Sequence, residues 1–329
     1  MQNILENHPY IQQVIALEQQ FEDRTELHKQ VGGLLQKMGA DDEFIKLVIK
    51  RNFEDDGFLK QQWSEYNIPY FFIYETADIN LKIHFFPAME HYVKGTAAHC
   101  IHHHNNYILT TAAIFGSGYE TMLFDKHVEM HPENLTCKMK ITKHFTQEAY
   151  PVHTIDAWEP HIVYNPEIYS ATLQLWTPDQ KRSTDSLRTN PMLKAIKTPL
   201  RKLLYLFGME KRFGIAPKYT YQWYPEGDHF KAIEENEYFE PTRKSVGEKV
   251  NNFSVQTVCI FMQRRGVVDK NYIAEILTKN NLPAYYHKWL NMLLNDEPIP
   301  DSFCKAEINI PQRKYNMQDV INAAASRSN

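Results

Sequence analysis

A chain of 329 residues, 43% apolar and 13% aromatic, holds enough material for one large domain or two small ones with a sizeable core. A formal net charge of -4, with no run of five or more like charges, excludes the strongly basic surface that would attract nucleic acid and any charged tail. Four dispersed cysteines (Cys100, Cys137, Cys259, Cys304) form no CxxC pair, the N-terminus MQNILENHPY lacks a basic region followed by an apolar run, and no stretch approaches roughly 18 apolar residues, so the expected setting is soluble, reducing and cytoplasmic, with no membrane partner.

Residues 8 to about 66 carry helical periodicity. Ile11, Val14, Ile15 and Leu17 begin a stripe, and Leu27, Val31, Leu34, Leu35 and Met38 continue one at spacings of three and four until Gly39 breaks it. Asp41 or Asp42 is placed to cap a helix carrying Phe44, Leu47 and Val48, and a short helix over Phe58, Leu59 and Trp63 ends the segment. It reads as a helical platform without chemistry. From about residue 69 the texture becomes aromatic and β-branched. Strands are expected at Tyr70–Tyr74, Ile79–Phe86, 98–104, 106–115, 118–125, 135–144, 152–158, 160–165 and 169–176, with turn signals at Gly116-Ser117-Gly118 and Asn165-Pro166. Many short strands at this spacing argue for a barrel or sandwich. Residues 181–215 are basic and helical in pattern, with Leu200, Leu203, Leu204 and Phe207 on one face and Lys194 to Lys202 on a solvated one. They read as an insertion, because strands are expected to return at 218–224 and 253–263. Two helices are expected over 268–296 and a weakly ordered end from about 313. The expected fold is therefore mainly β: a helical N-terminal extension (1–66), a β domain (67–265) and a helical C-terminal extension (266–329).

Chemistry concentrates in the histidines. The chain has 15, and four fall within 99–104, so a chance cluster on the surface is the competing reading. On a strand alternate side chains share a face, which puts His102 and His104 together with Ala98 and Cys100, and His99 and His103 opposite. Two imidazoles at i and i+2 can present ring nitrogens to one ion. A third must come from elsewhere; His161 is the first candidate and His153, just upstream, the competitor. No acidic residue stands ready as a fourth ligand.

Gly95, His102, His104 and Gly116, with Leu109 at the usual acidic position, resemble the first motif of the cupin superfamily. His161 and Asn165 resemble its second motif, although Asp156 and Trp158 replace the usual upstream proline and glycine. Within that superfamily the chain resembles the thiol dioxygenases of the cysteine dioxygenase type. Gly116-Ser-Gly-Tyr-Glu-Thr-Met-Leu-Phe124 is similar to the strand after the first motif, and Thr172-Leu-Gln-Leu-Trp-Thr-Pro178 to the strand after the third ligand. The likeness covers about 79–178. It implies a cupin double-stranded β-helix barrel and a mononuclear metal held by His102, His104 and His161. Gly227-Asp228-His229 is a faint echo of a second barrel motif.

The departures from that family matter equally. Gln174 and Trp176 stand where it has a second-sphere histidine and tyrosine, and Leu109 where some members place a cross-linking cysteine. No basic residue lies near Phe71–Ile73, where an arginine would clamp an amino-acid carboxylate, so free cysteine is not the expected substrate. Three neutral imidazoles leave the charge of a divalent ion uncompensated and two or three positions open for substrate and O₂. The implied cofactor is Fe(II), with Cu, Ni, Mn and Zn as alternatives. The expected activity is a non-heme oxygenase or dioxygenase on a small organic substrate. The alternatives are a Lewis-acid isomerase, lyase or hydrolase, or a non-catalytic module that binds a small molecule. Tyr107, Gln174 and Asn165 are candidates for fixing the ligands, and Tyr107, Gln174 and Trp176 for acting beside them; Tyr164, Trp176 and His84 are candidates for lining the pocket. Small-molecule substrate and O₂ are the expected partners, without nucleic acid or membrane; a homodimer is compatible with this reading.

Overall fold

The computed structural model describes residues 5–63, 68–76, 78–88, 100–126, 128, 130–131, 133–149, 151–164, 166, 168–181, 221–234, 247–279, 281–300 and 315–325. Four helices open the chain: α1 (Pro9–Gln20), α2 (Arg24–Ala40), α3 (Asp42–Glu54) and α4 (Asp56–Leu59). Each of the last three begins at an aspartate whose carboxylate accepts from backbone amides of the first turn: Asp23 from Thr25 (2.9 Å), Asp41 from Phe44 (3.0 Å) and Asp55 from Gly57 (2.8 Å). Asp41 is thus the cap. Gly39 does not break α2. A Cβ there would lie 2.3 Å from Cγ2 of Ile114, so the glycine lets the helix backbone approach a strand.

Among the described residues twelve strands follow. A five-stranded antiparallel sheet has the order β1 (Tyr70–Glu75), β2 (Asn80–Phe86), β10 (Ser170–Pro178), β3 (Tyr107–Phe115), β8 (Val152–Ile155). A three-stranded sheet has the order β7 (Ile141–Thr146), β4 (Glu120–Phe124), β9 (His161–Tyr164). The remaining sheet has the order β11 (Tyr221–Glu226), β12 (His229–Glu234), β6 (Thr136–Cys137), β5 (Met130–His131). Among the described residues these are three antiparallel sheets, and strand pairing does not close them into one barrel.

Alternation along β1, β2 and β10 divides the five-stranded sheet. Phe71, Ile73, Leu81, Ile83, Phe85, Leu173 and Leu175 are buried in one cluster with the N-terminal helices. The same cluster takes in three later helices, α5 (Glu248–Arg265), α6 (Lys270–Leu277) and α7 (Ala284–Leu294). Polar pins fix the helices in register. Asn52 of α3 is wholly buried; its amide donates to the Phe72 carbonyl (2.7 Å) and its oxygen accepts from the Phe72 amide (2.9 Å), where the β1–β2 ladder is irregular. His28 of α2 bridges Thr110 Oγ1 (2.8 Å) and Thr177 Oγ1 (2.9 Å), on β3 and β10. Burial lowers its pKa to about 3, so the ring is neutral.

Several expectations need correction. Among the described residues of the expected strand 98–104 there is no strand, only isolated bridges at Ile101 and His102, and 135–144 divides between β6 and the start of β7. Residues 253–263 are not a strand but lie inside α5, because Phe253 through Met262 are all buried and so carry no one-faced period. Gly227-Asp228 is not a second barrel motif but the two-residue turn of the β11–β12 hairpin, closed by Glu226 opposite His229, with Gly227 at φ 66°. The chain end is not weakly ordered throughout: α8 (Met317–Ala325) buries Val320 and Ala323 against β11 and β12. Trp63 lies beyond α4 rather than in it. The expected insertion over 181–215 falls outside the described residues, apart from Lys181.

Candidate metal centre

His102 and His161 are joined through their backbones. The His102 amide donates to the His161 carbonyl (3.0 Å) and the His161 amide to the His102 carbonyl (2.8 Å), an isolated antiparallel bridge. The chain then turns after His104, with the Tyr107 amide donating to the His104 carbonyl (3.1 Å) and Asn105 at φ 53°, a conformation asparagine tolerates. This brings ring nitrogens of His102, His104 and His161 within 4.8 Å of one another. His153, the competing ligand, is not in that group; it lies on β8 with its ring 4.4 Å from that of Phe145. His103 points elsewhere, its ring 5.3 Å from Trp158 and 5.8 Å from Trp223.

Backbone carbonyls select the tautomers. Nδ1 of His161 donates to the Glu159 carbonyl (2.9 Å) and Nδ1 of His102 to the Cys100 carbonyl (3.3 Å), which leaves Nε2 of each as an acceptor. Nε2 of His161 lies 3.0 Å from Nε2 of His104, while Nδ1 of His104 is buried without a hydrogen-bond partner. Burial lowers the His102 pKa to about 4 and those of His104 and His161 well below the ordinary imidazole value, and neighbouring imidazoles push the last two the same way. All three are neutral at pH 7, the form that ligates a metal. Crowded acceptor nitrogens with few protein partners fit a cation, and this group of histidines could hold a metal ion.

A cavity of about 340 Å³ opens over the three imidazoles. Its walls come from the second face of the five-stranded sheet (Tyr70, Lys82, His84, Phe86, Leu109, Ile155, Gln174 and Trp176) and from Val163 of β9, with Ile68 and Tyr119 completing it. No carboxylate is among the described residues lining it. Leu109 is buried and packs with Leu123, Phe145 and Ile155. Trp176 stacks edge-on against His104 at 4.2 Å, and its indole N–H donates to Gln174 Oε1 (3.2 Å), whose amide donates to Thr172 Oγ1 (3.2 Å).

The other sequence candidates distribute unevenly. His84 faces the cavity, as do Gln174 and Trp176. Tyr164 does not; it is buried in the cluster with Phe124 and Phe230, because on β9 it alternates with His161 and Val163. Tyr107 opens β3 opposite Pro178 and is not among the cavity-lining residues. Asn165, Gly95 and His99 lie outside the described residues. Gly116, at φ 70°, has no room for a side chain: a Cβ would stand 2.3 Å from the Tyr169 carbonyl oxygen. Trp158, where the resemblance calls for glycine, takes φ 60°. Sequence reasoning missed Lys82. It searched for a basic residue near Phe71–Ile73, and the antiparallel register sets Lys82 directly opposite Phe72. The signal was available, since Lys82 shares a face with His84 at i and i+2.

No family model matches the chain, and no curated protein matches it. Among solved structures it is similar over 36% of its length to a protein of Thermus thermophilus (85% of that chain, 12% identity, TM-score 0.22). It is similar over 33% to the DMSP lyase DddQ of Ruegeria pomeroyi (42% of that chain, 14% identity, TM-score 0.19) and over 43% to a cupin-2 domain protein of Rhodospirillum rubrum (87% of that chain, 13% identity, TM-score 0.21).

Proposed function

We propose that the chain is a metal-dependent enzyme of cupin type in which His102, His104 and His161 hold Fe(II) and a small organic molecule is oxidised by O₂ in the cavity above them. The observation that carries this reading is the convergence of three neutral imidazoles in a cavity whose described lining has no carboxylate. The approach of Nε2 of His104 to within 3.0 Å of Nε2 of His161 supports the reading that these ring nitrogens would share one ion.

Fe(II) held by His102, His104 and His161 would supply the activation of O₂. The chain supplies orientation. The Glu159 and Cys100 carbonyls hold two ligand rings, and Trp176 packs against the third. Leu109, Ile155 and Val163 make part of the cavity wall apolar, and with no carboxylate among the described lining residues the charge of a bound ion would attract an anionic donor from substrate.

The test is metal analysis of anaerobically purified protein, then O₂ uptake against thiols and phenols. Stoichiometric iron and substrate-dependent uptake are expected. Turnover without O₂ rejects the oxygenase in favour of Lewis-acid chemistry. Ligand binding without turnover that is indifferent to chelators rejects both in favour of a binding module.

A further inference from the structure

Strand β2 turns two polar side chains into the cavity that the metal chemistry leaves unused. Lys82 is half-buried, with its ammonium 4.7 Å from the Tyr70 ring centroid and 4.9 Å from that of Phe72. Two aromatic faces stabilise a cation without neutralising it. No carboxylate lies within ion-pair distance of Lys82 among the described residues. Burial lowers its pKa, the sign of a charge short of solvent, and Glu75 offsets this only in part. An ammonium left in that condition gains from any anion that enters.

His84, two residues along on the same face, is enclosed and neutral, its pKa lowered by burial to about 3. Its ring lies against Tyr70 at 5.7 Å, and among the described residues neither ring nitrogen has a hydrogen-bond partner. It offers a donor and an acceptor to whatever fills the cavity. Gln174 faces Lys82 across the β2–β10 ladder and lines the same wall. A cationic ligand would meet Lys82 and find no carboxylate among the described lining residues. The volume, about 340 Å³, is at the small end for a ligand cavity.

We propose that β2 is the substrate-recognition strand, and that the substrate is a small anionic molecule whose carboxylate, sulfonate or phosphate pairs with Lys82 while a neutral polar substituent hydrogen-bonds His84. This rests on the metal-centre reading, because it supposes that the rest of the molecule reaches His102, His104 and His161.

Matched pairs that differ only in charge test it: 4-hydroxyphenylacetate against 4-hydroxyphenylacetamide, and 3-hydroxybenzoate against 3-hydroxybenzamide, titrated calorimetrically into the full chain with and without chelator. The carboxylate of each pair is expected to bind about tenfold tighter than the amide. Lys82→Met, close in volume, should abolish that preference and Lys82→Arg retain most of it. His84→Leu should weaken both members together by about fivefold while keeping the preference. Equal affinity within each pair, no affinity for either, or a preference surviving Lys82→Met overturns the proposal. A preference that needs Lys82 and survives chelation, in protein shown to bind no metal, upholds the anion anchor and fails the metal reading alone. Bound metal without a carboxylate preference fails the anchor alone.

Discussion

The two faces of the five-stranded sheet are made by the same strands and do opposite things. On β2, Leu81, Ile83 and Phe85 pack into the helical cluster, while Lys82, His84 and Phe86 between them line the cavity. On β10, Leu173 and Leu175 go to the core, and Gln174 and Trp176 to the cavity. The core face is aliphatic, aromatic and continuous. The cavity face carries an ammonium with no ion pair among the described residues, neutral imidazoles and an amide chain, none of which contributes much apolar burial. Stability and chemistry are thus separated by one residue of register, and a slip of one would exchange them.

Substitutions on each face can break that division. His104→Ala should remove bound metal almost completely, measured by elemental analysis of the purified protein, while its unfolding midpoint without metal stays near that of the chelated parent. Retention of a full complement of metal would sink the triad. Phe85→Ala, on the core side, should cost about 3–5 kcal/mol in denaturant unfolding and leave metal affinity of the folded protein unchanged; a matching loss of metal affinity would show that the faces are not separable. Trp176→Leu removes the ring that packs on His104, whose Nδ1 has no hydrogen bond to hold it. It should weaken metal binding about tenfold with little change in unfolding.

A further prediction concerns pH. His28 has a folded pKa of about 3, below its ordinary value of 6.5. Between those values the unfolded chain binds the extra proton. Its contribution is therefore fully present above about pH 6.5 and is lost as pH falls toward 3. The expected slope is about 1 kcal/mol per pH unit below 6.5. His28→Gln keeps a hydrogen-bonding side chain between Thr110 and Thr177 but cannot titrate, so thermal unfolding should depend less on pH between 6.5 and 4.5. An unchanged slope would assign the acid sensitivity elsewhere.

Much of this was legible in the sequence where a period was clean. The N-terminal helices showed their stripes and, at Asp41, one of their three aspartate caps, and β1, β2, β3 and β10 showed aromatic and β-branched alternation. His102, His104 and His161 could be singled out from an i, i+2 pair and a histidine opening β9, although the expected strand under the pair is only an isolated bridge at His102 followed by a turn. Legibility failed where burial was uniform. Residues of α5 are covered on nearly every side, so its apolar run had no face to reveal, although Arg264, Arg265 and the left-handed Gly266 mark its end. The β11–β12 hairpin was lost to a motif reading of Gly227-Asp228-His229. Lys82 was missed because a clamp was sought at fixed positions rather than across a ladder, and cross-strand register is a property of pairing that one sequence does not display.

The reciprocal backbone bridge between His102 and His161 has a consequence for how the centre acquires its ion. Both bonds are amide to carbonyl and owe nothing to a metal. His102 and His161, distant in sequence, are therefore brought together by backbone pairing, which on the proposed reading preorganises two of the three ligands. On the proposed reading, loading would require little ordering of those two residues, and metal exchange in the native state is expected to be faster than global unfolding and insensitive to mild denaturant.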